Sequence, residues 1–266
     1  MNTEKTDLLA QSDHGAVRRI TLTDVRRRNA LSESMISALT TALEAAAEDS
    51  AIRVVVLAAD GPAFSAGHDL KEISGHRGDA DGGQAYFEQL MAACSALMQT
   101  IVRLPKPMIA EVRGVATAAG CQLVASCDLA VAGEGARFCT PGVNIGLFCS
   151  TPMVALSRNV SRKHAMEMLL TGDLVPAARA AEIGLVNRVV AEGDLEVETM
   201  RLAERIASKS QRTLKIGKEA FYRQVELPLS DAYDYAAAVM TANLMDADAC
   251  EGISAFLEKR APTWER

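Results

Sequence analysis

The chain has 266 residues, 49% of them hydrophobic and 23% charged, with a formal net charge of −6 and a pI near 5.4. That length supports one large domain with a real core, and the acidic balance argues against nonspecific nucleic-acid binding. No apolar run approaches the roughly 18 residues of a membrane span, and the opening MNTEKTDLLAQSD carries neither an apolar signal core nor an Arg-rich transit pattern, so a cytoplasmic location is expected.

Residues 1–14 are expected to be a flexible N-terminus. The segment Gly15–Thr23 has a loose strand pattern in Val17, Ile20 and Leu22. Ser32 then opens a helix with Met35, Ile36, Leu39 and Leu43 at spacings of three and four. Arg53–Ala59 (RVVVLAA) is continuously apolar and β-branched, which suits a strand buried on both faces. Gly61–Asp69 reads as a loop. Residues 84–104 form a long helix that Pro105 and Pro107 stop, and Met108–Val112 is another strand. A small-residue turn, a short apolar helix and a strand at Leu129–Ala132 follow. Strands alternating with helices predict parallel pairing and an α/β core over residues 15–200. From Thr151 the pattern is mostly helical, and residues 201–266 form an all-helical C-terminal part. Its apolar stripe of Tyr233, Ala237, Met240 and Leu244 is expected to pack on the core or on another subunit. There is no clear internal repeat.

Common cofactor motifs fail on spacing. Gly133-Glu-Gly135 lacks the third glycine of a dinucleotide fingerprint, and Gly217-Lys218 lacks the glycine of a phosphate loop. The four histidines are not grouped as metal ligands, and no metal is expected. The six cysteines are scattered without a CxxC pair and read as buried reduced thiols. Two glycine-rich loops remain, FSAGHDLKE (Phe64–Glu72) and RGVATAAGCQLVASCD (Arg113–Asp128), each after a strand. Unpaired N–H groups at such turns, if two converge, bind the oxygen of a polarised carbonyl. Close packing is the plain alternative.

These loops, with GVNIGLF, AMEMLLTGDLVPAARAAEIGLVNRVV and AFLEKRAPTW in order, resemble the enoyl-CoA hydratase/isomerase (crotonase) superfamily over residues 15–262. Within it they most resemble the subgroup called enoyl-CoA hydratase domain-containing protein 3. The resemblance implies a spiral of ββα units and a C-terminal helical region that builds trimers, often paired into hexamers. It implies acyl-CoA thioesters as substrates, with no cofactor beyond the coenzyme A they carry. The two enolate-stabilising N–H groups of the family fall on His68 and Ala119. Arg26 matches a basic position in the CoA loop; Ala66, Asp69 and Leu70 match the adenine pocket; Lys71 matches a phosphate contact. Phe256 and Lys259 match tail positions that approach CoA from a neighbouring subunit. For each charged residue a solvated surface role is the competing reading.

The pattern breaks at the acids. The two hydratase glutamates fall on Gln122 and Gly142, and the aspartate of the dienoyl-CoA isomerase branch falls on Ser150. A glutamine amide holds a water or substrate oxygen but takes no proton, and glycine does neither. Other groups near the matched segments are the His68 side chain, Glu111 (read as ion-paired with Arg113 on its strand), Asn144, Cys149, and Glu72 and His76 at the rim. Two functions follow as expectations: an acyl-CoA enzyme whose reaction is not simple hydration, such as isomerisation, decarboxylation or thioester hydrolysis, or a non-catalytic acyl-CoA binder or regulatory subunit. The acidic balance argues against the RNA binding of some relatives. The oxyanion turn offers Cys121 where a serine-peptidase cousin needs serine.

Overall fold

The computed structural model describes residues 8–264. A hairpin opens the chain: β1 (Leu9–His14) pairs antiparallel with β2 (Val17–Leu22) across a turn at Gly15, whose φ of 60° favours glycine. Residues 9–14 are therefore strand where flexibility was expected. The β2 edge offers a free ladder of N–H and C=O groups, and pairing satisfies them. Leu8 precedes the strand, and residues 1–7 of that expected flexible segment lie outside the described residues.

Helix α1 (Glu33–Glu48) starts at Ser32, whose hydroxyl accepts the Met35 N–H at 3.2 Å. The next stretch sets a repeating pattern of long strand, short strand and helix. The first unit is β3 (Val54–Ala59), β4 (Ala63–Ser65), α2 (Leu70–Gly75) and α3 (Gln84–Arg103). The second is β5 (Met108–Val112), β6 (Val115–Thr117) and α4 (Ala119–Ser126). The third is β7 (Leu129–Gly133), β8 (Arg137–Cys139), a 3-10 turn at Pro141–Ile145, α5 (Ser150–Asn159) and α6 (Arg162–Thr171). After it come β9 (Val175–Pro176), α7 (Ala177–Glu182) and β10 (Arg188–Val190).

Long strands build one sheet in the order β1-β2-β3-β5-β7-β10, parallel from β2 onward. Short strands build a second, β4-β6-β8-β9, parallel except at β9. This is the expected ββα spiral. Every residue of β3 and β5 is buried, as strands covered on both faces must be. On one face, Ile20, Val55, Leu57, Ala110 and Val112 pack with α1, α3 and α4. On the other, Val17, Val54, Val56, Ile109 and Val131 pack under Leu195, Ala203 and Ala207 of α8 (Leu195–Ala207).

The last helices, α9 (Gln211–Gln224), α10 (Leu229–Leu244) and α11 (Ala247–Leu257), contribute little to that core. Lys218 anchors α9 by donating to Ile101 O, Lys106 O and Asp128 Oδ2, and Tyr222 donates to Asp128 Oδ1 at 2.9 Å. No residue of α10 is buried, so its apolar stripe does not pack on the core: Tyr233, Met240 and Leu244 are exposed. Among the described residues, no helix is long and apolar enough to cross a membrane.

Candidate functional site

The two glycine-rich loops meet. A Cβ built on Gly67 would lie 3.2 Å from the Ala119 nitrogen and 2.9 Å from the Ala118 Cβ, and one on Gly120 would lie 2.3 Å from the Ser65 carbonyl oxygen. Only glycine permits this approach, and Gly67 also has a φ of +79°. Ala119 is the first residue of α4, so its N–H has no acceptor within the helix. Among the described residues, neither the His68 nor the Ala119 N–H donates a main-chain hydrogen bond. Both therefore remain available at the junction of the loops, one of them at the positive end of a helix dipole.

Between β6 and α4 the chain turns through Ala118, with φ 51° and ψ −118°. That conformation strains a residue bearing a Cβ. Hydrogen bonds hold it: the Ala118 N–H donates to Cys139 O at 2.9 Å, and Ala118 O accepts from Gln122 N at 3.0 Å. Strain fixed from both sides marks this turn as a built feature. Nothing in the sequence signals it beyond the small side chains of VATAAG.

Gln122 is buried on α4, and its Oε1 has no hydrogen-bond partner. Gly142 is also buried. A Cβ there would meet Leu147 O at 2.9 Å and Cys149 Sγ at 3.0 Å, so the surroundings have closed onto the glycine. Burial pushes the Cys121, Cys139 and Cys149 thiols up, and hydrogen bonds from Thr117 to Cys139 and from the Gly142 N–H to Cys149 only partly oppose it. All three stay protonated near neutral pH, which leaves Cys149 unactivated as a nucleophile. Burial alone lowers the His68 imidazole below its ordinary value and favours the neutral ring, whose Nε2 has no partner.

Glu111 stands elsewhere. Its strand neighbours Ala110 and Val112 face the cluster that holds Ala119, so alternation turns Glu111 to the α8 face. It is ion-paired as expected, but with Arg19 at 2.7 Å and not with Arg113, which lies 3.7 Å from Glu192. Arg19 reaches across from β2, a partner that spacing within one strand does not reveal.

The CoA-matched residues divide. Asp69 caps α2, accepting from Lys71 N at 2.9 Å, and its other oxygen lies 3.5 Å from Arg27. The Ala66 N–H is taken by Arg28 O at 3.0 Å. Leu70, Lys71 and Arg26 are exposed near these residues in the chain. Phe256, at the end of α11, and Lys259 beyond it are also exposed. Glu72 accepts from Glu33 N at 3.1 Å, and His76 stacks on Tyr86 at 3.6 Å, so both serve the packing of α2. Asn144 and Ser150 lie exposed on either side of Cys149. No metal-binding group of three or more His, Cys, Asp or Glu exists among the described residues.

The family model described as "Enoyl-CoA hydratase/isomerase" matches residues 12–266. The chain belongs to the enoyl-CoA hydratase/isomerase family. It is 47% identical over 257 residues to the Rattus norvegicus protein "Enoyl-CoA hydratase domain-containing protein 3, mitochondrial", covering 97% of this chain and 84% of the relative. The crystal structure of the human domain-containing protein 3 superposes with a TM-score of 0.92 at 44% identity, covering 97% of this chain and 100% of that one. An enoyl-CoA hydratase structure from Mycobacterium smegmatis gives 0.92 at 52% identity, covering 97% and 99%. The expected fold and subgroup resemblance both hold. The expected cytoplasmic location does not: the rat and human relatives carry a mitochondrial designation in their names. Cellular address is read by receptors from separable segments, so the composition of a family fold does not carry it.

Proposed function

We propose that this family member binds acyl-CoA thioesters and holds the thioester oxygen between the His68 and Ala119 N–H groups. The supporting observation is the contact of the two loops through Gly67 and Gly120, with both N–H groups unused at their junction. An enolate oxygen carries more charge than the ground-state carbonyl, so these donors act mainly on the transition state. Gln122 and Gly142 supply no acid at the glutamate positions, so the reaction is one other than simple hydration. Arg26, Lys71 and the backbone of Ala66, Asp69 and Leu70 contact the CoA moiety, while Phe256 and Lys259 reach it from a neighbouring subunit. The exposed apolar side chains of α10 and α11 supply the surface for a trimer or a pair of trimers; light scattering at the chain's elution peak tests this.

A catalytic role is favoured by the unused N–H groups of His68 and Ala119, which suit a developing enolate oxygen. A second reading, a non-catalytic acyl-CoA binder, is favoured by the glycine at 142 and the protonated thiols around it. Two measurements decide the outline. Calorimetric titration with butyryl-CoA is expected to show binding. Loss of enoyl-thioester absorbance from a short trans-2-enoyl-CoA is expected to stay at background. Hydration at an enzymatic rate overturns the acid-loss argument, and absence of binding overturns the acyl-CoA reading.

A further inference from the structure

The Gly67–His68 peptide is planar and trans, so its C=O and N–H point in opposite directions. Whatever holds the carbonyl therefore aims the His68 N–H. That carbonyl accepts from the Leu31 N–H at 2.8 Å, and Leu31 forms an isolated parallel bridge with His68. The two N–H groups before His68 are also spent: Ala66 donates to Arg28 O at 3.0 Å and Gly67 to Ser65 Oγ at 3.3 Å. Two of the bonds that fix this loop thus come from residues 28–31. The Ala119 donor needs no such outside support, because the carbonyl of its peptide, Ala118 O, accepts from Gln122 N in the first turn of α4.

Residues 28–30 belong to no helix or strand. They follow a 3-10 turn, Val25–Arg27, and begin with two consecutive left-handed residues, Arg28 at φ 53° and Asn29 at φ 52°. A residue with a Cβ enters that region at a cost, which asparagine bears better than most. The Asn29 side chain then does something further. It is 0% exposed, and its Nδ2 donates to Asp60 O and Ala63 O, each at 2.9 Å. Both amide protons are used while Oδ1 has no partner, so the donor end of the side chain is what the surroundings employ. An ionised aspartate of the same shape has no proton for either carbonyl. Ala63 opens β4, which runs directly into Ser65 and the loop. Asn29 therefore ties the segment that carries Arg28 O and Leu31 N to the strand that feeds the loop they hold.

We propose that Asn29 is a positioning residue for the His68 oxyanion donor: by linking residues 28–31 to the end of β3 and the start of β4, it keeps the Leu31 N–H on Gly67 O and so aims the His68 N–H at the thioester oxygen. This rests on the acyl-CoA reading above and adds a residue that acts through the backbone. The bond accepted by the Gly67 carbonyl also polarises that peptide and makes its N–H a stronger donor. The plain alternative is a staple that stabilises the fold and leaves the donor unmoved. The two differ in what a bound thioester carbonyl reports.

The test is infrared difference spectroscopy of the full chain with butyryl-CoA carrying carbon-13 at the thioester carbonyl, beside calorimetric titration and melting. Hydrogen bonds to the carbonyl lower its stretching frequency, so wild type is expected to shift it below its value in water. Asn29→Gly keeps the left-handed backbone and removes both side-chain bonds. It is expected to shrink the shift and to weaken binding about 5- to 10-fold, the loss of one hydrogen bond. Replacing Leu31 by its α-hydroxy acid puts an ester oxygen where the N–H was, keeps the side chain, and is expected to do the same. Leu195→Ala, buried under α8 on the other face of the large sheet, is the stability control and is expected to melt lower with the wild-type shift. A wild-type shift in folded Asn29→Gly overturns the proposal, as does an equal loss of shift in Leu195→Ala. If Asn29→Gly does not fold, the Leu31 ester decides: an unchanged shift overturns the proposal and a reduced one upholds it. Wild type that binds butyryl-CoA without any shift removes the oxyanion reading itself, and wild type that does not bind removes the acyl-CoA reading.

Discussion

Substituting Gly120 by alanine tests the site's construction most directly. The added Cβ would stand 2.3 Å from Ser65 O and 2.8 Å from Ser65 Cβ, where ordinary contacts begin at 3.4 Å. The loops must therefore part by about 1 Å, and the blocking atoms include backbone, which no rotamer change relieves. Ser65 precedes Gly67 and His68 by two and three residues, and Gly120 follows Ala119 directly, so the displacement falls on the two N–H donors. Overpacking of this kind costs about 1–3 kcal/mol, or roughly 2–12 °C in melting temperature at about 2–4 °C per kcal/mol for a chain near this size. Losing one hydrogen bond to the thioester oxygen weakens butyryl-CoA binding about 5- to 10-fold; an enolate-forming step would lose about 10²-fold or more. Gly75→Ala is the control, since a Cβ there meets nothing within 4 Å. Calorimetric melting and titration provide both readouts. A Gly120→Ala protein with wild-type melting temperature and wild-type affinity refutes the claim that this glycine sets the loop junction.

Three further outcomes are expected. Asp128→Ala removes the acceptor for Lys218 Nζ (2.7 Å), Met108 N (2.7 Å) and Tyr222 OH (2.9 Å), leaving a buried ammonium short of its counter-charge; urea unfolding should show a loss of about 3–5 kcal/mol, and a loss below about 1 kcal/mol contradicts the network. Gly217→Ala, inside α9 with nothing within 4 Å of the new Cβ, should stabilise by about 0.5–1 kcal/mol, and a lower melting temperature counts against it. Because burial lowers the His68 pKa from 6.5, the unfolded chain takes up a proton that the folded one resists. Stability should fall as pH drops below about 6.5 and level off below the folded pKa. His68→Gln should lack that component, so identical melting-temperature profiles from pH 7 to pH 5 would argue against a desolvated imidazole.

Periodicity made β3, β5 and β7, α1 and α3 legible, because each buries a whole strand or a broad helical stripe. It missed β4, β6 and β8, which have three residues each, too few to show a period. Their parallel pairing comes from the crossover geometry of the long strands. For the same reason the ββα repeat is a structural repeat without a sequence repeat. His68, Ala119, Gln122 and Gly142 were legible only through family motifs. The Ala118 conformation was not, because its positive φ is imposed by the hydrogen bonds that fix the turn from both sides. The pairing of Glu111 was legible in kind but not in partner, since strand order decides which arginine arrives.

The glycine at 142 shows why restoring glutamates would not simply restore hydration. In Gln122→Glu the new carboxyl would stand in the buried place of Gln122, where desolvation raises its pKa, a useful property for an acid. In Gly142→Glu the Cβ would meet Leu147 O at 2.9 Å and Cys149 Sγ at 3.0 Å before the carboxyl found any position. Leu147 also donates its N–H to Gly142 O at 2.9 Å, so the segment cannot withdraw without breaking that bond. The double variant should therefore lose about 1–3 kcal/mol and melt below wild type. Adding Cys149→Ala removes the sulfur and should recover part of that loss, leaving the carbonyl contact as the remainder. Hydration of a short trans-2-enoyl-CoA should rise in the order wild type, double variant, triple variant, since each acid–base group contributes about 10²–10⁴-fold once it is placed. A double variant as stable as wild type would mean that the 142 pocket has room for a side chain. The missing acid would then be a matter of residue identity alone, and not of the packing that has closed around it.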